Sequence, residues 1–208
     1  MQSNEGSDFF AVFFYPYSFL YGIIREEDLA MKKLFKVCPS CGNKTISFEE
    51  GKKWTCAFCN FELYFNVATS ASIILLVGNA LVLVRRGKEP GKGLLSLPGG
   101  FVDPGESAEN AAIRECIEET GITPCQIRYL CSFPNEYQHK NIVYQTCDLF
   151  FTANCAYDIL TKLSPVDTEE VSAYELVEIN STQDIEKLPL AFSSAKEALL
   201  VWAAKRFK

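Results

Sequence analysis

Histidine is nearly missing: His139 is the single one in 208 residues, so chemistry built on histidine, as a general base or as a metal-ligand set, has little to draw on. Positive charge is also scarce. Lys and Arg number 20 against 26 Asp and Glu, a formal net charge of −6, which argues against a protein that holds nucleic acid on a broadly basic surface. Any contact with phosphate must then be local or metal-mediated. The chain shows no internal repeat, no low-complexity tract and no spaced disulfide framework. Cys116, Cys125, Cys131, Cys147 and Cys155 are scattered singly among apolar residues, a usage suited to a reducing cytoplasm.

A membrane anchor has one candidate, FFAVFFYPYSFLYGII at residues 9–24. No Lys or Arg precedes it, so the positive flank of a signal peptide is missing. Pro16, Ser18 and Gly22 break it, and it is short for a span, so no membrane insertion is expected. Residues 1–30 are read as an extension of uncertain order. Either Met31 is the true start, or the stretch is a packed strand or a membrane-surface element.

What the chain does have is 48% hydrophobic and 13% aromatic content, enough to bury one ordinary core and to leave room for a small module. Cys38-x2-Cys41 and Cys56-x2-Cys59 define that module over residues 31–66, with the spacing of a two-knuckle zinc ribbon. Four thiolates leave no open position for water, so structural Zn²⁺ is expected, with a redox dithiol pair as the alternative. Lys36, Lys44, Lys52 and Lys53 face Glu49, Glu50 and Glu62 with no marked excess. Trp54, Phe58, Phe61, Tyr64 and Phe65 are therefore expected to pack rather than to stack on bases.

Residues 67–208 read as the main domain. ASIILLV, the turn GN and ALVLVRR form a hairpin, and LLSLPGGFVD a further strand entering a tight turn. QIRYLCSF, NIVYQTCDLFFTANC and AYELVEI read as strands, and SSAKEALLVWAAKRF as a terminal amphipathic helix. Strands and helices mixed around one core indicate an α/β or α+β sandwich.

The segment SAENAAIRECIEET reads as a helix with Ser107 as N-cap and Gly121 as its stop. Glu115, Glu118 and Glu119 share an arc of about 100° on one face, with Ile113, Cys116, Ile117 and Thr120 expected to bury the other. Ala108, Ala111 and Ala112 are expected to leave the acidic side sterically open. Glu115 and Glu119 form a like-charge i,i+4 pair, and Glu118 and Glu119 sit at the helix end that disfavours anions. Two local rules are broken at once, and a hard divalent cation is the natural compensation. Gly99 and Gly100 allow close backbone approach, while Glu106 and Arg114 can orient the cluster, Arg114 by a bidentate pair. Arg85 and Arg86, followed by Lys88 and Lys92, are candidates for steering phosphates.

Gly100-x5-Glu106-x7-Arg114-Glu115-Cys116-x-Glu118-Glu119-x-Gly121-Ile122 resembles the signature of the Nudix hydrolases over 23 residues, with all seven fixed positions present. Cys116 is a mild departure where a larger aliphatic residue is usual. The resemblance covers roughly residues 70–205, and the preceding ribbon is similar to that of the NADH pyrophosphatase branch. It implies a Nudix-type mixed β-sheet sandwich flanked by helices, and hydrolysis of a nucleoside diphosphate linked to another moiety with Mg²⁺ or Mn²⁺. Glu115, Glu118 and Glu119 would be metal ligands, one of them able to act as base, with the Gly99 carbonyl completing the coordination. Glu106 and Arg114 would support the cluster. A further glutamate from a later loop would be Glu169 or Glu170.

The NADH pyrophosphatases carry an S-Q-P-W-type array after this helix; here Ser132 is followed by Phe133-Pro134-Asn135. That departure, with SFPN, points towards ADP-ribose-like substrates. Phe133, Tyr137 and Tyr144 are candidates to enclose the nucleoside, against an ordinary core role, and His139 is expected in a surface loop. Family habit implies a homodimer, and the cysteine usage points to a cytoplasmic enzyme. Capped RNA would be the one nucleic-acid substrate. A nucleotide-sensing regulator on the same fold is the alternative from another class.

Overall fold

The structure, a computed structural model, describes residues 34–140, 142–155 and 169–207. The expectations for residues 1–30 and for Met31 lie outside the described residues. The chain forms a three-stranded sheet, a seven-stranded mixed sheet and three helices among those residues.

The small sheet is the cysteine module: β1 (Ile46–Glu49), β2 (Lys53–Cys56) and β3 (Glu62–Tyr64), all antiparallel. Its apolar content is a cluster of rings. Trp54 is 3% exposed, with Phe48, Phe35 and Phe65 at centroid distances of 4.7, 5.1 and 5.7 Å. So few rings cannot make an independent core, and the cysteines supply the rest. Cys38 and Cys59 bring their sulfurs to 3.7 Å, Cys41 and Cys56 to 3.8 Å. A tetrahedron of Zn–S bonds of about 2.3 Å sets its sulfurs about 3.8 Å apart, so the four thiols fit the ion. Phe58 and Tyr64 depart from the packing expectation. Both are exposed, at 69% and 57%.

The large sheet runs in the order β10-β5-β4-β9-β8. Its members are β4 (Ala68–Val77), β5 (Ala80–Arg86), β8 (Cys125–His139), β9 (Ile142–Cys155) and β10 (Val171–Glu178). The β4–β9 pair is parallel, the others antiparallel. The central strand β4 is apolar on both faces because helices cover both. Ala71, Ile73, Leu75 and Val77 pack towards helix α1 (Ala108–Thr120); Ile74 and Leu76 pack towards α2 (Thr182–Glu186) and α3 (Ser193–Arg206). Phe150 and Phe151, adjacent in β9, divide between the same two cores.

The site is created by a local failure of pairing. β4 and β5 share only two register pairs, Leu76↔Leu81 and Val77↔Ala80, before they diverge. The segment between them fills the split: β6 (Leu95–Ser96) pairs with β5, and β7 (Gly99–Phe101) pairs with β4. Gly99 and Gly100 are thereby held at the opening, facing the helix that follows.

Candidate active site

Helix α1 begins and ends where its sequence directs. Ser107 Oγ accepts from the Asn110 N–H at 3.2 Å, and Gly121, at φ 71°, donates its N–H to Ile117 O at 2.8 Å. Its buried face is only in part the one expected, however. Ala111 and Ala112 are fully buried with Cys116 and Thr120, whereas Ile113 and Ile117 are only half-buried. The alanines bring the helix close to the sheet, and that closeness buries one of the acids: Glu119 is 7% exposed.

Each glutamate has a different environment. Glu119 Oε2 accepts from the Gly99 N–H at 2.9 Å, and its own backbone carbonyl accepts from Tyr174 Oη at 2.8 Å. Burial pushes its carboxyl up to about 8, against the lowering effect of the Gly99 bond, with Glu115 and Glu170 adding repulsion. Burial also raises Glu115, opposed by Arg114. Gly100 makes room for this residue, since a Cβ there would lie 2.5 Å from Glu115 Oε1.

Arg114 organises the outer side. Its guanidinium meets Glu106 twice at 3.0 Å, Glu115 Oε1 at 2.7 Å, Glu118 Oε2 at 3.2 Å and Phe101 O at 3.1 Å. Hydrogen bonding to Arg114 holds the Glu106 carboxyl below the ordinary range. Bidentate pairing with Arg114 is thus as expected, and its partner is Glu106.

Three carboxylates converge. One oxygen from each of Glu115, Glu119 and Glu170 lies within 4.8 Å of the other two. Glu170 arrives just before β10, placed by the Gly87 N–H donating to Glu170 O at 2.7 Å, and its side chain pairs with Lys88. Glu169 is not in the group, and Glu118, half-exposed, turns to Arg114 instead. Gly99 meets the cluster through its N–H.

These carboxylates border a cavity of about 740 Å³ opening at the β4–β5 split. Arg86, Lys88, Tyr137, His139 and Tyr144 line it. His139 ends β8 rather than lying in a loop. Tyr137 packs against Phe101 and Phe192, at 5.1 and 5.9 Å, and the Arg86 guanidinium lies 4.9 Å from the Phe192 ring. Arg85 and Phe133 are placed elsewhere. Arg85 pairs with Glu175 and the Gly93 carbonyl, because alternation along β5 turns it away from Arg86. Phe133 packs against the α3-side core.

Residues 67–200 match the NUDIX domain family. The chain belongs to that family. Over 151 residues it is 30% identical to the NAD-capped RNA hydrolase NudC of Haemophilus influenzae (strain PittGG), covering 65% of this chain and 57% of the relative. The chain thus spans little more than half that relative's length. It is 42% identical over 64 residues to the ADP-ribose pyrophosphatase of Methanocaldococcus jannaschii, 31% of this chain and 38% of that one. The NUDIX domain of Shewanella oneidensis NrtR complexed with ADP ribose overlays with a TM-score of 0.53 at 24% identity, covering 68% of this chain and 88% of that one. That likeness is one of fold.

The remaining polar wall of this NUDIX cavity was not singled out by its sequence. Asp148, Ser70, Thr146 and Ser194 all line it and are mutually bonded. The one local signal is an acid in TCDLFF, where alternation demands a buried position. No helix among the described residues is long and apolar enough to cross a membrane.

Proposed function

We propose that this chain is a metal-dependent pyrophosphohydrolase that cleaves a nucleoside diphosphate linked to another moiety, with ADP-ribose-like molecules ahead of NADH and NAD-capped RNA. The observation that carries the proposal is the convergence of Glu115, Glu119 and Glu170 at the edge of a nucleotide-sized, aromatic-walled cavity.

The donor set fits Mg²⁺ or Mn²⁺: three oxygen ligands, hard and anionic, repel one another unless a cation joins them. When bound, the ion neutralises charge on the pyrophosphate and activates water. The chain's own residues do the remainder. Arg114 and Glu106 fix Glu115, and the Gly99 N–H fixes Glu119, so the carboxylates are oriented before a ligand arrives. Arg86 and Lys88 face the phosphates, and a glutamate of α1 takes the proton of the attacking water. Glu118 would join as a ligand by exchanging Arg114 for the cation, and the Gly99 carbonyl remains the proposed backbone donor. Tyr137 and Phe192 hold the nucleoside. The four-cysteine module holds structural Zn²⁺. The relatives' names support the substrate class, and the absence of the S-Q-P-W-type array supports ADP-ribose over NADH.

Purified protein with Mg²⁺ should release AMP from ADP-ribose, and Glu119→Gln should lose at least about a hundredfold of that turnover while keeping its fold. Preferential release of AMP from NADH would reverse the substrate assignment. Mg²⁺-independent binding of ADP-ribose with no cleavage of any pyrophosphate would instead favour the nucleotide-sensing alternative. Light scattering tests the homodimer.

A further inference from the structure

We infer that Asp148 reads the nucleobase, selecting a purine that carries an amine rather than a carbonyl at position 6. The inference deepens the hydrolase proposal and rests on it only for which molecule enters the cavity.

The carboxylate of Asp148, on β9, is 7% exposed and lines the cavity. Three hydroxyls from three elements donate to it, each at 2.7 Å: Ser70 of β4 and Thr146 of β9 to Oδ1, and Ser194 of α3 to Oδ2. A hydroxyl has one proton: those of Ser70 and Ser194 are spent on Asp148, and that of Thr146 goes to Asp148 at 2.7 Å in preference to the Asn135 carbonyl at 3.2 Å, so what these groups can offer a ligand is lone pairs. A carboxylate accepts about four bonds, two per oxygen. Oδ1 has two donors and Oδ2 has one. Around Asp148 the cavity thus presents mainly acceptors, with the unfilled capacity at Asp148 Oδ2, and the Asn135 amide, opposite Thr146 on β8, is the neighbouring group that brings N–H donors as well as an acceptor. A ligand N–H or O–H satisfies Oδ2, and an acceptor placed against it would be left buried and unpaired.

A flat ring system is indicated by the walls. Phe101, Tyr137 and Phe192 form a contiguous set of rings beside this end, with centroids 5.1 and 5.9 Å apart in sequence. Phe192 directly precedes the α3 turn that supplies Ser194. Aromatic faces stack on any base without reading it, which leaves discrimination to the polar end. An amine at purine position 6 donates to Asp148 Oδ2; the carbonyl of hypoxanthine sets acceptor against acceptor.

The test is calorimetric binding of AMP and IMP to the full chain, with purine riboside 5′-monophosphate, which lacks the 6-substituent, as third probe. AMP is expected to bind roughly tenfold or more tightly than either of the others. In Asp148→Asn, whose amide can donate, the AMP preference over IMP is expected to fall to within about threefold, with circular dichroism unchanged. Equal affinity of unaltered protein for AMP and purine riboside monophosphate would overturn the inference, and this arm requires no variant to fold. So would an Asp148→Asn protein in which both affinities fall alike, the mark of a structural tie alone. Failure to cleave any pyrophosphate would sink the hydrolase proposal while leaving the AMP and IMP arms readable.

Discussion

Arg114 and Glu106 meet through two parallel bonds, Nε to Oε1 and Nη2 to Oε2, both at 3.0 Å. The fork anchors one end of the guanidinium while Nη1 holds Glu115 Oε1, so the pair acts on the metal site through another residue.

Arg114→Lys should therefore weaken metal binding without unfolding the protein. A lysine ammonium cannot reproduce the planar fork. Titration with Mn²⁺ by calorimetry should show affinity lower by about tenfold or more, and Glu106→Gln should shift it in the same direction. Unchanged affinity in both would show that Glu115 is held by something else.

Glu119 sets a pH dependence in metal-free protein. Burial raises its folded-state pKa from the ordinary 4.5 of a glutamate to about 8. The stabilising, protonated form is thus complete below about 4.5 and is lost as pH rises through about 8. In chelator, the melting temperature should fall across that window, and Mn²⁺ should restore stability most at the alkaline end, where no proton need be displaced. Glu119→Gln, neutral throughout, should flatten the metal-free profile.

Gly100→Ala should disable the site by volume alone. The new Cβ would lie 2.5 Å from Glu115 Oε1, and the side chain must move away. Turnover is expected to drop by about a hundredfold, since small displacements of a catalytic group cost that much, with the melting temperature little changed. Near-normal turnover would mean that Glu115 has another rotamer open to it.

Removing zinc should be visible at one tryptophan. Trp54 lies in the cysteine module, Trp202 in the α3 core. Stripping the metal with a strong chelator, or Cys59→Ser, should red-shift the Trp54 emission of a Trp202→Phe protein. Metal analysis should give one zinc per untreated chain.

Much of the site was written locally in the sequence. Glu115, Glu118, Glu119 and Arg114 lie within two helical turns, so spacing alone places them together, and Ser107 and Gly121 fix the helix ends through bonds to residues three and four positions away. Glu170 was legible only as a member of an acidic pair, because its approach depends on the β5–β10 pairing. Asp148 was legible only as an acid at a strand position that alternation buries. Its partners Ser70 and Ser194 are 78 and 46 residues distant, and a lone serine in a strand or helix gives no sign of what it will face. The helix face was misread for a related reason: Ile113 and Ile117 are the more hydrophobic residues, but only the small Ala111 and Ala112 permit the close approach on which this sheet is built.

The two register pairs between β4 and β5 have a further consequence. Glu119 lies on the α1 side of the sheet, while Asp148 lies on the α3 side, beside Phe150. A molecule that touches both reaches from one face of the sheet to the other through the split, and two rings joined by a flexible pyrophosphate, as in the substrates proposed above, have the length for that reach.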